Sequence, residues 1–123
     1  MGNGRFEAGL EIRRKVLGAE YVDRALAQAD DFTRPLQEYV TECCWGAVWT
    51  RPGLTLQERS MITLAALVAL GRTHEIKLHV RGALNNGLTR EQIREVLLHV
   101  AAYAGVPAAV DAFRAAQEVF RET

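Results

Sequence analysis

The sequence predicts an all-α protein of six or seven helices. In most segments apolar residues recur every three or four positions, which places them on one face of a helix. No segment alternates apolar and polar residues with the period of two that strands show. The length of 123 residues suits one hydrophobic core, so we expect a single domain over residues 1–123.

Three helices are predicted in the first half of the chain, each delimited by residues that start or stop a helix. They are expected over residues 5–17, 19–30 and 34–48. Gly18 stops the first, Pro35 suits the first turn of the third, and a turn at residues 49–53 ends it. Cys43 and Cys44 are adjacent and point about 100° apart on the third helix, which indicates core residues and not a redox pair.

The next helix is predicted to be the central, buried one. Thr55 and Glu58 have the spacing of a capping box, in which each side chain bonds a backbone amide at the helix start. From residue 61 to residue 70 the only polar side chain is that of Thr63. A helix that is hydrophobic all round is normally buried on every side.

Three further helices complete the chain. Thr73 is predicted to cap the first of them, and Gly87 to stop it. A second capping box, Thr89 with Gln92, begins a helix that Gly105 stops, and the last helix follows directly.

The helix between Thr73 and Gly87 carries two polar stripes instead of one wide apolar face. One stripe is formed by Arg72, Glu75, Ile76, His79, Ala83 and Asn86, and the other, nearly opposite, by His74, Lys77, Arg81 and Asn85. One stripe can face water, whereas the other needs partners. Those partners are internal ion pairs, a neighbouring subunit or a substrate.

Within the first stripe, Glu75 and His79 are one helical turn apart, so their side chains can touch. A carboxylate beside an imidazole supports its protonated form and prepares it to transfer a proton near neutral pH. The alternative is an ordinary surface pair, which contributes little to stability. The only histidines are His74, His79 and His99, and their spacing does not suit a metal site, so we predict no metal.

Two tryptophans and an arginine precede the apolar helix. Trp45 and Trp49 are close enough in sequence to indicate a core or a subunit interface. If this segment instead covers the polar stripe, the indoles and the guanidinium of Arg51 suit a small, flat, acidic ligand. Tyr103 could add a phenol to the same pocket, and a core position is its alternative.

Charge and hydropathy exclude several classes of protein. The formal net charge is zero and basic residues are scattered, unlike the basic surface of a nucleic-acid binder. No apolar run is long enough to span a bilayer, so a membrane role is not expected. Residues 1–7 lack the basic region and apolar segment of a signal peptide, so we expect a cytoplasmic protein with reduced cysteines.

Several motifs in this order and spacing resemble the carboxymuconolactone decarboxylase family, within the alkyl hydroperoxidase D-like superfamily. The resemblance runs from about residue 6 to residue 121, and the segments that carry it are residues 13–18, 45–54, 59–63, 72–79 and 85–90. It implies an all-helical subunit in a ring-like homo-oligomer, a hexamer, with active sites near subunit contacts. Redox members of the superfamily carry Cys-x-x-Cys just ahead of a histidine, and here Arg72 and Glu75 occupy those positions before His79.

The implied reaction is the cofactor-free decarboxylation of 4-carboxymuconolactone to β-ketoadipate enol-lactone in protocatechuate catabolism. The electrons left by carbon dioxide delocalise onto the lactone carbonyl, so the substrate itself is the electron sink and no cofactor is expected. We predict that Glu75 and His79 handle the proton, with His79 as the donor. Predicted substrate-binding residues are Arg72, Arg59, Arg51, Trp45, Trp49 and Tyr103.

Two other functions remain as alternatives at this point. One is a peroxidase-like redox member of the same superfamily, which the missing cysteine pair disfavours. The other is a non-catalytic structural oligomer, in which the polar stripe makes only ion pairs between subunits.

Overall fold

The computed structural model describes residues 4–122, and seven helices with no strand lie within that range. The helices are α1 (Arg5–Leu17), α2 (Ala19–Ala27), α3 (α-helical over Arg34–Tyr39 and π-helical over Val40–Trp49), α4 (Leu56–Leu70), α5 (Thr73–Asn85), α6 (Arg90–Ala104) and α7 (Val106–Glu122). The prediction of an all-α fold is confirmed. Residues 1–3, part of the stretch from which we expected a cytoplasmic protein, lie outside the described residues.

The chain forms two compact units, Met1–Thr55 with helices α1 to α3 and Leu56–Thr123 with helices α4 to α7. We call them the N-terminal unit and the C-terminal unit. That the whole chain acts as a single domain stays a prediction.

In the N-terminal unit, α1 and α3 approach so closely that two positions admit only glycine. A Cβ atom on Gly9 would lie 2.0 Å from the carbonyl oxygen of Thr41, and one on Gly46 would lie 2.2 Å from that of Arg5. Both distances are far below van der Waals contact, and the obstructing atoms belong to the backbone. The absence of two side chains therefore sets the distance between these helices.

One turn after Gly9, the guanidinium of Arg13 is buried against α3. Its NH1 group donates hydrogen bonds of 3.0 Å to Gln37 Oε1 and to Thr41 Oγ1. Burial lowers the pKa of Arg13 from its usual value, because its charge has lost much of its hydration. Burial of Arg13 was not predicted from the sequence, although its spacing from Gly9 and Val16 places it on the buried face of α1.

The core of the C-terminal unit is formed by one apolar stripe from each of its four helices. Its fully buried side chains include Leu64 and Val68, Ile76 and Val80, Ile93 and Leu97, and Ala112 and Val119. Helix α5 packs against α4 on one side and α7 on the other. This packing fixes which face of α5 is removed from water.

The prediction that α4 is buried all round is wrong for the single chain. Only Ser60, Leu64 and Val68 are buried on it, at the helical spacing of four. Ile62 and Leu70 are 56% and 64% exposed. The reason is that the other helices cover one side of α4 and leave its opposite, equally apolar side uncovered.

The predicted helix ends are partly confirmed. The capping box before α6 is present, since Gln92 N–H donates to Thr89 Oγ1 at 3.0 Å and Thr89 N–H donates to Gln92 Oε1 at 2.9 Å. Thr73 is not a cap, because α5 begins at Thr73 and the preceding Arg72 is its N-cap residue. The capping box expected between Thr55 and Glu58 stays a prediction.

Helix α2 ends at Ala27, earlier than the predicted residue 30. The side chain of Asp30 accepts hydrogen bonds from the backbone N–H groups of Phe32 at 3.0 Å and Thr33 at 2.9 Å. An aspartate that accepts hydrogen bonds from the backbone N–H groups two and three residues later favours a turn over a continuing helix.

The contact between α1 and α3 yields a stability prediction. We expect Gly9→Ala to destabilise the protein by about 1–3 kcal/mol, because the new methyl group would overlap a backbone oxygen that cannot rotate away. Ordinarily the same change inside a helix stabilises by about 0.5–1 kcal/mol. Chemical denaturation of the two proteins measures the difference.

Gly53→Ala is the matched control, since no atom lies within 4 Å of its added Cβ. An unchanged midpoint for Gly9→Ala would contradict the glycine contact.

Candidate active site

Helix α5 places the predicted proton-handling pair at the edge of the C-terminal core. Ile76, Val80 and Ala83 are buried and anchor the helix. His79, three residues after Ile76 and four before Ala83, lies beside this stripe and is half-buried, whereas Glu75 in the first turn is exposed. A carboxylate in the first turn also interacts favourably with the positive end of the helix dipole.

Burial decides the charge of His79. It lowers the pKa of His79 to about 4, and the nearby Glu75 carboxylate acts in the opposite direction with a smaller effect. Near neutral pH the imidazole is therefore neutral. The effect expected of Glu75, support for the protonated form of His79, is present, but the effect of desolvation on the pKa of His79 is larger.

The second polar stripe of α5 is held by ion pairs within the unit. Lys77 Nζ lies 2.5 Å from Glu118 Oε2, and Arg81 NH2 lies 2.6 Å from Glu122 Oε1. The bond from Lys77 also lowers the pKa of Glu118. Internal ion pairs, one of the three kinds of partner considered for α5, are thus present for Lys77 and Arg81.

A buried hydrogen bond fixes the other end of α5 to α4. Asn86 Nδ2 donates to Ser60 Oγ at 2.8 Å and to the carbonyl oxygen of Leu56 at 3.3 Å. Ser60 is only 1% exposed, so this bond replaces hydration that the hydroxyl has lost. Sequence analysis placed Asn86 on the stripe of His79 but missed this role, because Ser60 comes from another helix.

The three candidate arginines lie in different settings. Arg72 is exposed at the N-cap of α5, three residues before Glu75. Arg59 is half-buried on α4, beside Ser60, and its Nε atom is buried. Arg51 is exposed in the segment after α3, in the N-terminal unit. Arg72 and Arg59 thus belong to the same unit as Glu75 and His79.

The tryptophans form a buried stacked pair in the π-helical part of α3. Trp45 and Trp49 are 4% and 9% exposed, and their ring centroids lie 4.7 Å apart at an interplanar angle of 26°. The interpretation that they belong to a core or an interface agrees with this burial. The buried face of this segment consists of Thr41, Trp45, Gly46 and Trp49.

Two further expectations about core residues are wrong. Cys44 is exposed and Cys43 is half-buried, because the buried face of α3 is occupied by Thr41 and the tryptophans. Tyr103 is 82% exposed, and its ring lies 5.1 Å from that of His99, one turn earlier on α6. An apolar neighbourhood in sequence suggested burial in both cases, but the side chains point away from the core.

Two other kinds of site are absent from the residues that the structure describes. In residues 4–122 no group of three or more histidine, cysteine, aspartate or glutamate side chains is arranged to hold a metal ion. Over the same residues, no helix combines the length and the apolar character needed to cross a membrane.

The low pKa of His79 yields a prediction about stability and pH. In the unfolded chain this histidine binds a proton near pH 6.5, whereas in the folded chain it does so only near pH 4. The unfolded state therefore binds more protons between these values, and stability falls as the pH falls. From about pH 7.5 to about pH 5 we expect His79 to account for a loss of at most about 2 kcal/mol in the free energy of unfolding.

Urea denaturation at both pH values, for the wild type and His79→Gln, measures this loss. The variant should lose less stability than the wild type, because glutamine does not titrate. His74→Gln is the control, since His74 is exposed on the same helix and should leave the pH dependence unchanged. Equal pH dependence in wild type and His79→Gln would contradict the burial argument.

Comparison with known proteins places this arrangement in a family. The chain is 43% identical over 118 residues to 4-carboxymuconolactone decarboxylase of Acinetobacter baylyi, covering 96% of this chain and 88% of that protein. It is 45% identical over 117 residues to a nitrosuccinic acid decarboxylase of Metarhizium robertsii, covering 95% and 82% of the two chains. The sequence profile of the carboxymuconolactone decarboxylase family matches residues 34–118, and the chain belongs to this family.

Proposed function

We propose that this protein is a carboxy-lyase that converts 4-carboxymuconolactone to β-ketoadipate enol-lactone in the cytoplasm. The observation that carries the proposal is the 43% identity, over 96% of the chain, to a decarboxylase of that name. The half-buried His79 with Glu75 one turn away supports it, because the reaction ends with transfer of a proton to carbon.

The substrate supplies its own electron sink. One ring carbon of 4-carboxymuconolactone carries both a carboxylate and a carboxymethyl group. When the bond to the carboxylate breaks, carbon dioxide leaves and the electron pair moves through the ring double bond to the lactone carbonyl oxygen. Protonation of the ring carbon next to that carbonyl then gives the enol-lactone. The protein must hold two carboxylates, stabilise the oxyanion and supply one proton.

We assign the proton transfer to His79. With a pKa of about 4, His79 carries a proton in only about one free molecule in a thousand at pH 7. A bound substrate with two negative charges raises the pKa of a neighbouring imidazole, and the Glu75 carboxylate acts in the same direction. Substrate binding and proton uptake by His79 are thereby linked, so that the acid forms where the carbanion will appear.

The remaining candidates are assigned to substrate binding. Arg72, Arg59 and Arg51 offer planar guanidinium groups that match carboxylates. The carboxylate that leaves must lie in a dry environment, since water would stabilise its charge. The stacked Trp45 and Trp49 suit such a wall, and Tyr103 is a further candidate for it. We propose a homo-oligomer, a hexamer, with these sites near subunit contacts.

A second candidate substrate is nitrosuccinate, because a relative named for it is 45% identical over 95% of this chain. Nitrosuccinate also carries a carboxylate and a carboxymethyl group on one carbon. Its nitro group accepts the electron pair, as the lactone carbonyl does in the first substrate. The same two carboxylate contacts and the same proton donor would serve both reactions.

Turnover of the two substrates tests the proposal. We expect the purified protein to consume 4-carboxymuconolactone, followed by ultraviolet absorbance, and His79→Ala to lower kcat by about 100- to 10,000-fold because the acid is removed. Evolved carbon dioxide measures the reaction with nitrosuccinate. His74→Ala, on the same helix, should keep wild-type rates. Normal turnover by His79→Ala would remove His79 from the mechanism, and no turnover of either substrate by the wild type would refute the decarboxylase.

The role of Glu75 has its own pH signature. If His79 must be protonated in the substrate complex, kcat falls as the pH rises through the pKa of His79 in that complex. Glu75→Gln removes a charge that raises this pKa, so the fall should begin about one pH unit lower. Glu20→Gln, an exposed carboxylate on α2, is the control. A pH profile of kcat that does not move in Glu75→Gln would exclude this role.

A further inference from the structure

The C-terminal unit presents two different apolar surfaces on opposite flanks of α6. The first, which we call the α6–α7 groove, has a volume of about 830 Å³ and is lined by Leu97, Leu98, Ala101, Val106, Val110 and Phe113. The second, which we call the α4 face, consists of the exposed Ile62, Ala66 and Ala69 of α4, with Glu95 and His99 of α6 beside Ile62.

Both surfaces expose large apolar side chains to water. Leu98, Val106 and Val110 are 50%, 65% and 40% exposed in the groove, and Ile62 is 56% exposed on the α4 face. The α4 face lies on a ten-residue stretch, from residue 61 to residue 70, without one charged side chain. Apolar surfaces of this kind mark protein interfaces.

The charges at the edges of the two surfaces are complementary. Arg90, Arg94 and Arg114 line the α6–α7 groove together with one carboxylate, that of Glu91. At the α4 face the ionisable groups are Glu95, His99 and the same Glu91, which lies at the start of α6 and reaches both surfaces. One surface is therefore mainly basic and the other mainly acidic.

Arg90 is held within the chain, since it donates a hydrogen bond to the carbonyl oxygen of Phe120 and lies 4.9 Å from the centre of the Phe120 ring. The other charges at the edges of the two surfaces are more accessible. Arg94 lies 3.4 Å from Glu95 and Arg114 lies 3.8 Å from Asp111, with every side chain of the two pairs more than half exposed. Exposed ion pairs of this kind contribute little to the stability of the fold. Their groups can be shared with an approaching surface of opposite charge.

We propose that the α4 face of one copy of this chain docks into the α6–α7 groove of the next copy. The small side chains of Ala66 and Ala69 let the α4 helix approach closely, and Ile62 enters the apolar groove. Because the two surfaces differ, the contact is head-to-tail, and repeated contacts of this type form a ring when the rotation between neighbouring copies closes. The proposal deepens the homo-oligomer in the proposed function and does not depend on the decarboxylation.

Mixing two variants tests the head-to-tail pairing. Ile62→Asp blocks the α4 face and Val110→Asp blocks the groove, so each variant alone should sediment as a monomer in analytical ultracentrifugation. In an equal mixture each chain retains the surface that the other lacks. The mixture should therefore contain a heterodimer and no larger assembly. Ala27→Asp, at an exposed position on α2, is the control and should assemble like the wild type.

The outcomes separate the possible failures. A monomeric wild type would overturn the oligomer itself, and wild-type assembly by both variants would overturn the interface. Two monomeric variants that form no heterodimer would overturn the head-to-tail pairing. Turnover is not a readout here, so none of these results can be confused with failure of the decarboxylase.

Charge reversal provides a second measurement that leaves the apolar surfaces intact. Glu95→Lys or Arg114→Glu alone should weaken assembly several-fold, because each places like charges across the contact. Glu95→Lys combined with Arg114→Glu restores the complementarity and should recover most of that loss. Circular dichroism melting establishes that every variant is folded. A double variant no better assembled than either single variant would contradict the proposed contact.

Discussion

Burial of one apolar stripe on α5 is the constraint on which the candidate site depends. Ile76, Val80 and Ala83 must face the core of the C-terminal unit, and the helical repeat then fixes every other side chain of α5. His79, three residues after Ile76 and four before Ala83, lies at the edge of the same stripe and is partly buried with it. Its low pKa is thus a consequence of packing, and the chemistry proposed for it begins with a neutral imidazole at neutral pH.

The polar contacts around α5 hold this orientation without contributing much energy themselves. Lys77 and Arg81 join its outer face to α7, while Asn86 joins its last turn to α4. The ion pairs are partly exposed and individually weak, but the bond from Asn86 to Ser60 is sheltered from water. A rotation of α5 would break contacts on both sides at once, so the position of His79 is well defined.

Local sequence determined the helices and most of their ends. Glycines at positive φ follow α1 and α6 at Gly18 and Gly105, and the capping box at Thr89 forms as its spacing indicates. These features depend on neighbouring residues alone, so they can be read directly. The family resemblance likewise rests on ordered local motifs, and the matched profile bears it out.

What sequence could not provide is which face of each helix is covered. A helical wheel shows that residues share a side but not whether another helix lies against it. The core position expected for Cys44, and the one considered as an alternative for Tyr103, were wrong for this reason. The net shift in the pKa of His79 could not be predicted from the sequence for the same reason. Its carboxylate neighbour is visible in the sequence, whereas its desolvation comes from residues distant in the chain.

Helix α4 is a second case in which the sequence did not show which face is covered. Its pattern indicated burial on all sides, yet the helices of one chain cover only the stripe of Ser60, Leu64 and Val68. A sequence is selected in its functional assembly, and the hydrophobic effect acts equally on surfaces buried within a chain and between chains. A helix whose residues 61–70 carry no charge and which is half uncovered in a single chain is therefore consistent with both descriptions, provided that a second protein surface covers Ile62 and its neighbours. The disagreement between pattern and structure then locates the interface that we propose.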